Sequence, residues 1–353
     1  MRSIPTPPPF VPIPAAPIDC VRPGIYLQIY RGKITGSPQK KLDTYKRYCD
    51  DIRVLGLPGV VWHGFPHELT HNWDQIARIA TERGLLALAA WGLDGSIDED
   101  NTRLTAREKG LLVGEVVARP NCKAGLSDAE GQWDSTVDAN DDMNESGALE
   151  FGSAMREKAP LAIIGSQPWF ALDSHGELRR TPRPLGAGGP FAGFPVDEFR
   201  AMASNWFDFP QAYANNFTSQ WGERRYEKTF AWMERDWTHI EPALEAAGIA
   251  RKRSITIQGY GWSPRSLSHC LLDWWTKRQL PVIVWSEPWP EPLTLRVIRG
   301  VSLLIARDFA IPGIDPRDAA RAYQIDYNRT APVGKKLDED GWMGEKTLRS
   351  LGV

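Results

Sequence analysis

No apolar run in this sequence reaches the roughly 20 residues that a membrane span requires. The opening residues, MRSIPTPPPFVPIP, put prolines where a secretion signal needs an apolar helix, so the expectation is cytoplasmic synthesis without a signal peptide. Cysteine is scarce: Cys20, Cys49, Cys122 and Cys270 are the four in 353 residues. They are scattered and form no CxxC pair, which argues against a disulfide framework or a zinc ribbon and predicts reduced, individually packed thiols. Neither charge dominates, with a formal net charge of −2 and a pI near 6.3, so nucleic acid is not an expected partner. No GxGxxG follows the first apolar run and no GxSxG elbow occurs, leaving dinucleotide binding and serine-hydrolase chemistry without support.

Tryptophan is abundant, at 15 residues, and its flat ring with one donor suits both large cores and the stacking of sugar faces. Residues 1–23 carry eight prolines and no helical or strand period, and read as an extended arm. From Gly24 onward, short apolar runs alternate with amphipathic helical stretches. Strands are predicted at 24–30, 59–64, 84–92, 123–134, 160–170, 209–217, 254–262 and 281–289. Helices are predicted at about 42–55, 72–83, 102–118, 144–158, 222–240 and 293–309, with a shorter one through Leu271 and Trp274. Eight strands alternating with helices predict an α/β chain of the (β/α)8, or TIM, barrel type over 24–312, with an open doubly wound sheet as the alternative. Residues 313–353 read as a separate small helical segment, opened by Asp315 and Pro316.

In such a barrel, chemistry lies at the C-terminal ends of the strands. The stretch KAGLSDAEGQWD, 123–134, supplies two carboxylates there: strand alternation puts Asp128 and Glu130 on one face, with backbones about 7 Å apart. Mutual repulsion and an apolar ring such as Trp133 would keep one carboxyl protonated while the other stays ionised, the pairing that glycosidic bond cleavage uses. Glu130 is the candidate general acid and Asp128 its partner. The same string also fits a strand that ends in a solvated acidic loop. Candidate substrate contacts at the other strand ends are Trp91, Asp94, Trp133, Gln167, Tyr213, Asn216, Gln258, Tyr260, Trp285 and Glu287.

Two further constellations compete. HELTH, 67–71, has the HExxH spacing that lets two imidazoles share a helix face and ligate zinc. Pro66 directly before it argues for a helix start or loop, with Thr70 as a candidate N-cap. In DSTVDANDDMNE, 134–145, Asp138, Asn140 and Asp142 have calcium-loop spacing, but Met143 and Leu149 stand where that loop needs Gly and Glu. No metal or other cofactor is therefore expected.

The Asp128/Glu130 pair on the fourth strand resembles the barrel muramidases of bacteria and phages and the chitinase-like glycosidases. In the latter, a strand-six tyrosine and a strand-eight tryptophan line the sugar site, and Tyr213 and Trp285 occupy similar places. The full DxxDxDxE string is absent, and the first strand offers Gln28 rather than the usual aspartate. Tyr323, Gln324, Leu337, Asp340, Gly341, Trp342, Gly344, Thr347 and Leu351 resemble the pattern of the small peptidoglycan-binding domain of cell-wall hydrolases. Together these resemblances imply a monomeric, phage-endolysin-like glycosidase that acts on peptidoglycan after release. A non-catalytic carbohydrate-binding barrel and a zinc peptidase or amidase using HELTH are the alternatives.

Overall fold

The computed structural model describes residues 23–92, 104–129, 145–160, 162, 164–168, 205–208, 250–253, 255–286 and 288–353. Nine strand segments make one parallel sheet: β1 (Gly24–Tyr30), β2 (Gly59–Gly64), β3 (Leu86–Gly92), β4 (Gly125–Ala129), β5 (Ile164–Pro168), β6 (Asn205–Asp208), β7 (Ala250–Arg253), β8 (Ile255–Gln258) and β9 (Pro281–Ser286). Their order is β7-β6-β5-β4-β3-β2-β1-β9-β8. The first and last members of that order are separated in the chain by Ser254 alone. β7 thus pairs with β6 and β8 with β9, so two segments adjacent in the chain stand at the two ends of the strand order. The sheet closes on itself as a (β/α)8 barrel with eight strand positions, as the alternation predicted.

Helices α1 (Pro38–Val54), α2 (Pro66–Thr81), α3 (Ala106–Val117), α4 (Glu145–Lys158) and α5 (Pro264–Asp273) connect successive strands, and α6 (Pro292–Ala306) follows β9. Their starts are written in the sequence. The Ser37 hydroxyl accepts from Lys40 N–H at 3.3 Å, Ser263 from Ser266 N–H at 3.1 Å, and Thr105 forms a reciprocal capping box with Glu108.

The two faces of the strands bury different layers. Ile25, Leu27, Ile29, Val60, Trp62, Ala87, Ala89, Trp91, Ile257, Val282 and Val284 point outward into one cluster with the helices. Tyr26, Val61, Leu88, Ala90, Ala124, Leu126 and Ile283 point inward and fill the barrel. Close packing of the outer layer requires glycine at two places. A methyl group on Gly125 would overlap Val117 and the Trp91 ring, and one on Gly110 would overlap the Phe151 carbonyl where α3 crosses α4.

Several expectations shift. Strand six runs at Asn205–Asp208 rather than 209–217, a range that lies outside the described residues. Pro210 has no N–H to give a ladder, which favours the earlier NWFD. Strand seven begins at Ala250 rather than 254, its period hidden by Arg251, Lys252 and Arg253. Helix α2 begins at Pro66, six residues before the predicted Asn72, with Phe65 as its N-cap. Thr70 is therefore inside the helix and not a cap; its hydroxyl donates to the Leu112 carbonyl at 3.4 Å. The arm 1–22, the predicted helix 222–240 and the acidic loop 134–144 lie outside the described residues.

Beyond α6 come α7 (Pro316–Thr330) and α8 (Glu345–Ser350). Asp315 caps α7 through Arg317 N–H at 2.9 Å. Gln324 is the hub of this segment: its Nε2 lies 2.9 Å from the Trp342 carbonyl, 3.2 Å from Asp340 Oδ1 and 3.3 Å from Thr347 Oγ1, while its Oε1 accepts from Gly341 N–H at 2.9 Å. Gly341 holds φ +76°, and a side chain there would also meet the Arg317 backbone, so glycine is required twice over. The segment is not detached. Tyr323, Leu337, Met343, Leu348 and Leu351 join the same apolar cluster as Val297, Val301 and Leu304 of α6, and Tyr323 meets Phe309 edge-on at 5.5 Å.

Candidate active site at the barrel mouth

In a parallel sheet, register partners point to the same side, so the ladder tells which residues share the barrel interior. Above the apolar filling, the inward positions turn polar. Gln28 is in register with Trp285, and Trp285 with Gln258, making one row across β1, β9 and β8. Tyr30 is in register with His63, and their rings approach to 5.1 Å. Gly92, Asp128 and Gln167 form a third row across β3, β4 and β5. All three rows lie at or near the C-terminal ends of their strands, where the fold places chemistry.

Position 128 shares the alternation of Ala124 and Leu126, both inside the barrel, so Asp128 belongs to the interior face of β4. Glu130, Asp94, Trp133, Tyr213, Asn216 and Glu287 lie outside the described residues. Gln258 is fully buried at 0% exposure. Trp285 is partly exposed and its ring lies 6.2 Å from that of Tyr260, which is 40% exposed at the rim.

Trp91 is a correction. It has no exposed surface, points outward and packs against Phe151 with ring centroids 6.5 Å apart. It is a core residue; the inward position at that end of β3 is Gly92, in register with Asp128. Trp262 likewise belongs to the outer core and donates its indole N–H to the Gln258 carbonyl at 2.9 Å.

Tyr30 was not among the candidate contacts, whereas His63 stands at a strand end that the barrel reading marks for chemistry. The signal was present: a single polar residue within an apolar strand, His63 in GVVWHG and Gln28 in GIYLQIY. Burial pushes the His63 imidazole down to about 4 from its usual 6.5, so it is neutral at neutral pH and each nitrogen is suited to hydrogen bonding rather than charge pairing.

HELTH opens α2 instead of running along a helix interior. Glu68 Oε2 accepts from Phe65 N–H at 3.5 Å, and His71 Nδ1 lies 2.9 Å from the His67 carbonyl, so these side chains serve the first turns of the helix. Among the described residues no group of three or more His, Cys, Asp or Glu side chains is placed to hold a metal ion, and no helix is long and apolar enough to cross a membrane. Cys49, Cys122 and Cys270 are unbridged, and burial pushes the Cys49 and Cys122 thiols up to about 12, which keeps them protonated and unreactive.

No protein-family model matches the sequence, and no curated protein matches it. Solved structures do share its fold. The glycoside hydrolase domain of PgaB (BpsB) from Bordetella bronchiseptica aligns with a TM-score of 0.50 at 10% identity, over 79% of this chain and 98% of that one. GH5_18 from Streptomyces cattleya, solved in complex with GlcNAc, aligns with a TM-score of 0.50 at 13% identity, over 83% of this chain and 82% of that one. At these identities the likeness is one of fold.

Proposed function

We propose that this chain is a glycoside hydrolase that cleaves an amino-sugar polymer, peptidoglycan above all, using the Asp128 and Glu130 carboxylates. The observation that carries the reading is the position of Asp128: the C-terminal end of β4, on the interior face, in register with Gly92 and Gln167, in a barrel where the buried amides of Gln28 and Gln258 flank the partly exposed Trp285 in the strand order. The fold shared with two glycoside hydrolases, one of them bound to GlcNAc, supports the same class.

In this reading Glu130 donates a proton to the leaving glycosidic oxygen while Asp128 stays ionised against the positive charge that develops on the sugar ring. The ring lies on Trp285, with Gln258 and Gln28 on either side of that indole in the strand order. Asp94, Trp133, Tyr213, Asn216, Tyr260 and Glu287 are the remaining proposed substrate contacts. Residues 313–353 act as a wall tether. Support for this comes from the Gln324 hub, which joins Asp340, Gly341 and Thr347, the residues that carry the resemblance to peptidoglycan-binding domains.

Mass spectrometry of purified cell wall incubated with the full chain tests this proposal. New reducing ends on glycan fragments are the expected product. New amines or released peptides would replace it with a peptidase or amidase, and binding without any product would make the barrel a carbohydrate-binding module.

A further inference from the structure

Gln258 presents an anomaly within the barrel mouth. Its side chain has 0% exposure, yet neither Oε1 nor Nε2 has a hydrogen-bond partner. A buried primary amide with both ends unpaired is costly, and native proteins retain few such groups without a reason. Its place in the fold suggests the reason. Thr256 and Gln258 are in register with Ile283 and Trp285, and Ile283 is part of the barrel filling, so position 258 faces the interior directly above it. The neighbouring Trp285 is partly exposed, and Tyr260 reaches the rim beside it.

We propose that Gln258 is the specificity-determining contact of this site and that its amide reads the edge of a 2-acetamido sugar whose face lies on Trp285. Oε1 accepts from the N–H on C2 and Nε2 donates to the oxygen on C3. This deepens the glycan reading above and rests on it. The chemistry favours an amino sugar. A glutamine offers one acceptor beside one donor, and the C2 nitrogen can only donate while the C3 oxygen can accept, whether it carries a hydroxyl or an ether. A vicinal diol, by contrast, would be served equally well by a carboxylate, which accepts from both hydroxyls. An amide at this place also keeps the contact uncharged, which suits a buried position.

The test compares Gln258 with Gln258→Met, a side chain of similar length and no hydrogen-bonding groups, in full-length protein that also carries Glu130→Gln so that ligand is not consumed. Titration calorimetry with the tetramer of N-acetylglucosamine and with cellotetraose is paired with thermal melting of each protein. The expected result is a loss of about tenfold or more in affinity for the acetylated tetramer, little change for cellotetraose, and a melting temperature equal to or above that of the parent. A lower melting temperature with unchanged affinity would assign the amide to the fold and overturn the inference. Equal losses for both sugars would mean that a diol is read and would overturn the acetamido assignment while leaving the glycan site standing. Binding of neither sugar by the parent protein would overturn the glycan reading and this inference with it.

Discussion

Trp91 and Trp285 stand near the ends of two strands in one barrel and have opposite fates. Trp91 points outward, is completely buried and meets Phe151 under α4. Trp285 points inward beside Gln28 and Gln258 and keeps part of its surface exposed. The same contrast runs round the barrel: the outward layer is mostly apolar, with Trp62, Trp73 and Trp274 also fully buried and the small hydroxyls of Ser127 and Ser286 at two strand ends, whereas the inward layer changes from Val61, Leu88 and Ile283 to Gln28, His63 and Gln258 toward the mouth. A fold that needed only stability would have no reason to make that change, because each polar group taken inside costs free energy unless it is paired. The outward layer holds the barrel together; the inward mouth gathers polar side chains at the strand ends where this fold places chemistry.

That contrast can be broken most severely from the outside. Trp91→Ala should cost about 3–5 kcal/mol of unfolding free energy, measured by denaturant titration, because it empties a site enclosed by Phe151, Val117 and Gly125. A variant that loses less than about 1 kcal/mol would mean that the outer layer is not the structural one. Leu348→Ala, at the α8–α6 contact over Gly300, should cost about 2–5 kcal/mol in the same assay, since that leucine belongs to the barrel's own apolar cluster. An unchanged barrel would make the tail energetically independent, as a simple appended tether would be.

The mouth should respond to pH instead. His63 is depressed to about 4 in the folded chain against about 6.5 when unfolded, so the unfolded state binds the extra proton between those values. The stability contributed by neutral His63 is complete above pH 6.5 and is lost as pH falls toward 4. The total loss is about 3 kcal/mol. His63→Gln should flatten that part of the stability curve, and a slope unchanged by the substitution would show that other groups set it. At the small end of the scale, the Gln258→Met exchange should leave the melting temperature at or above its starting value.

Much of the barrel was legible because strands and helices alternate with clear periods, and Asp315 with Pro316 marks the start of α7, while the caps Ser37 and Thr105 set the first and third helices at 38 and 106 instead of the expected 42 and 102. What failed did so for physical reasons. LALAAWG is apolar at nearly every position, so it carries no alternation to tell which side Trp91 takes, and the choice is made by the helices that cover it. ARKR looks like a solvated charge run, and only its pairing with β6 makes it half of the strand that closes the barrel. HELTH was legible as a helix start from the Pro66 before it, and α2 does open at Pro66, whereas Thr70, the candidate cap, lies one turn inside the helix. The tail's helices were readable from Asp315, Gly341 and Thr347, whereas the docking of Leu348 and Leu351 on α6 depends on a surface some 50 residues upstream in the chain, which local pattern does not encode.

The central claim is that the Asp-x-Glu pair at the end of β4 breaks glycosidic bonds, and it is tested most directly by counting reducing ends released from purified peptidoglycan by the parent protein and by Glu130→Gln. A neutral amide cannot supply the proton that the leaving oxygen takes up. The account therefore predicts release falling by about 100-fold or more, with melting temperature and wall sedimentation unchanged. Release near the parent rate by a well-folded Glu130→Gln protein would contradict it.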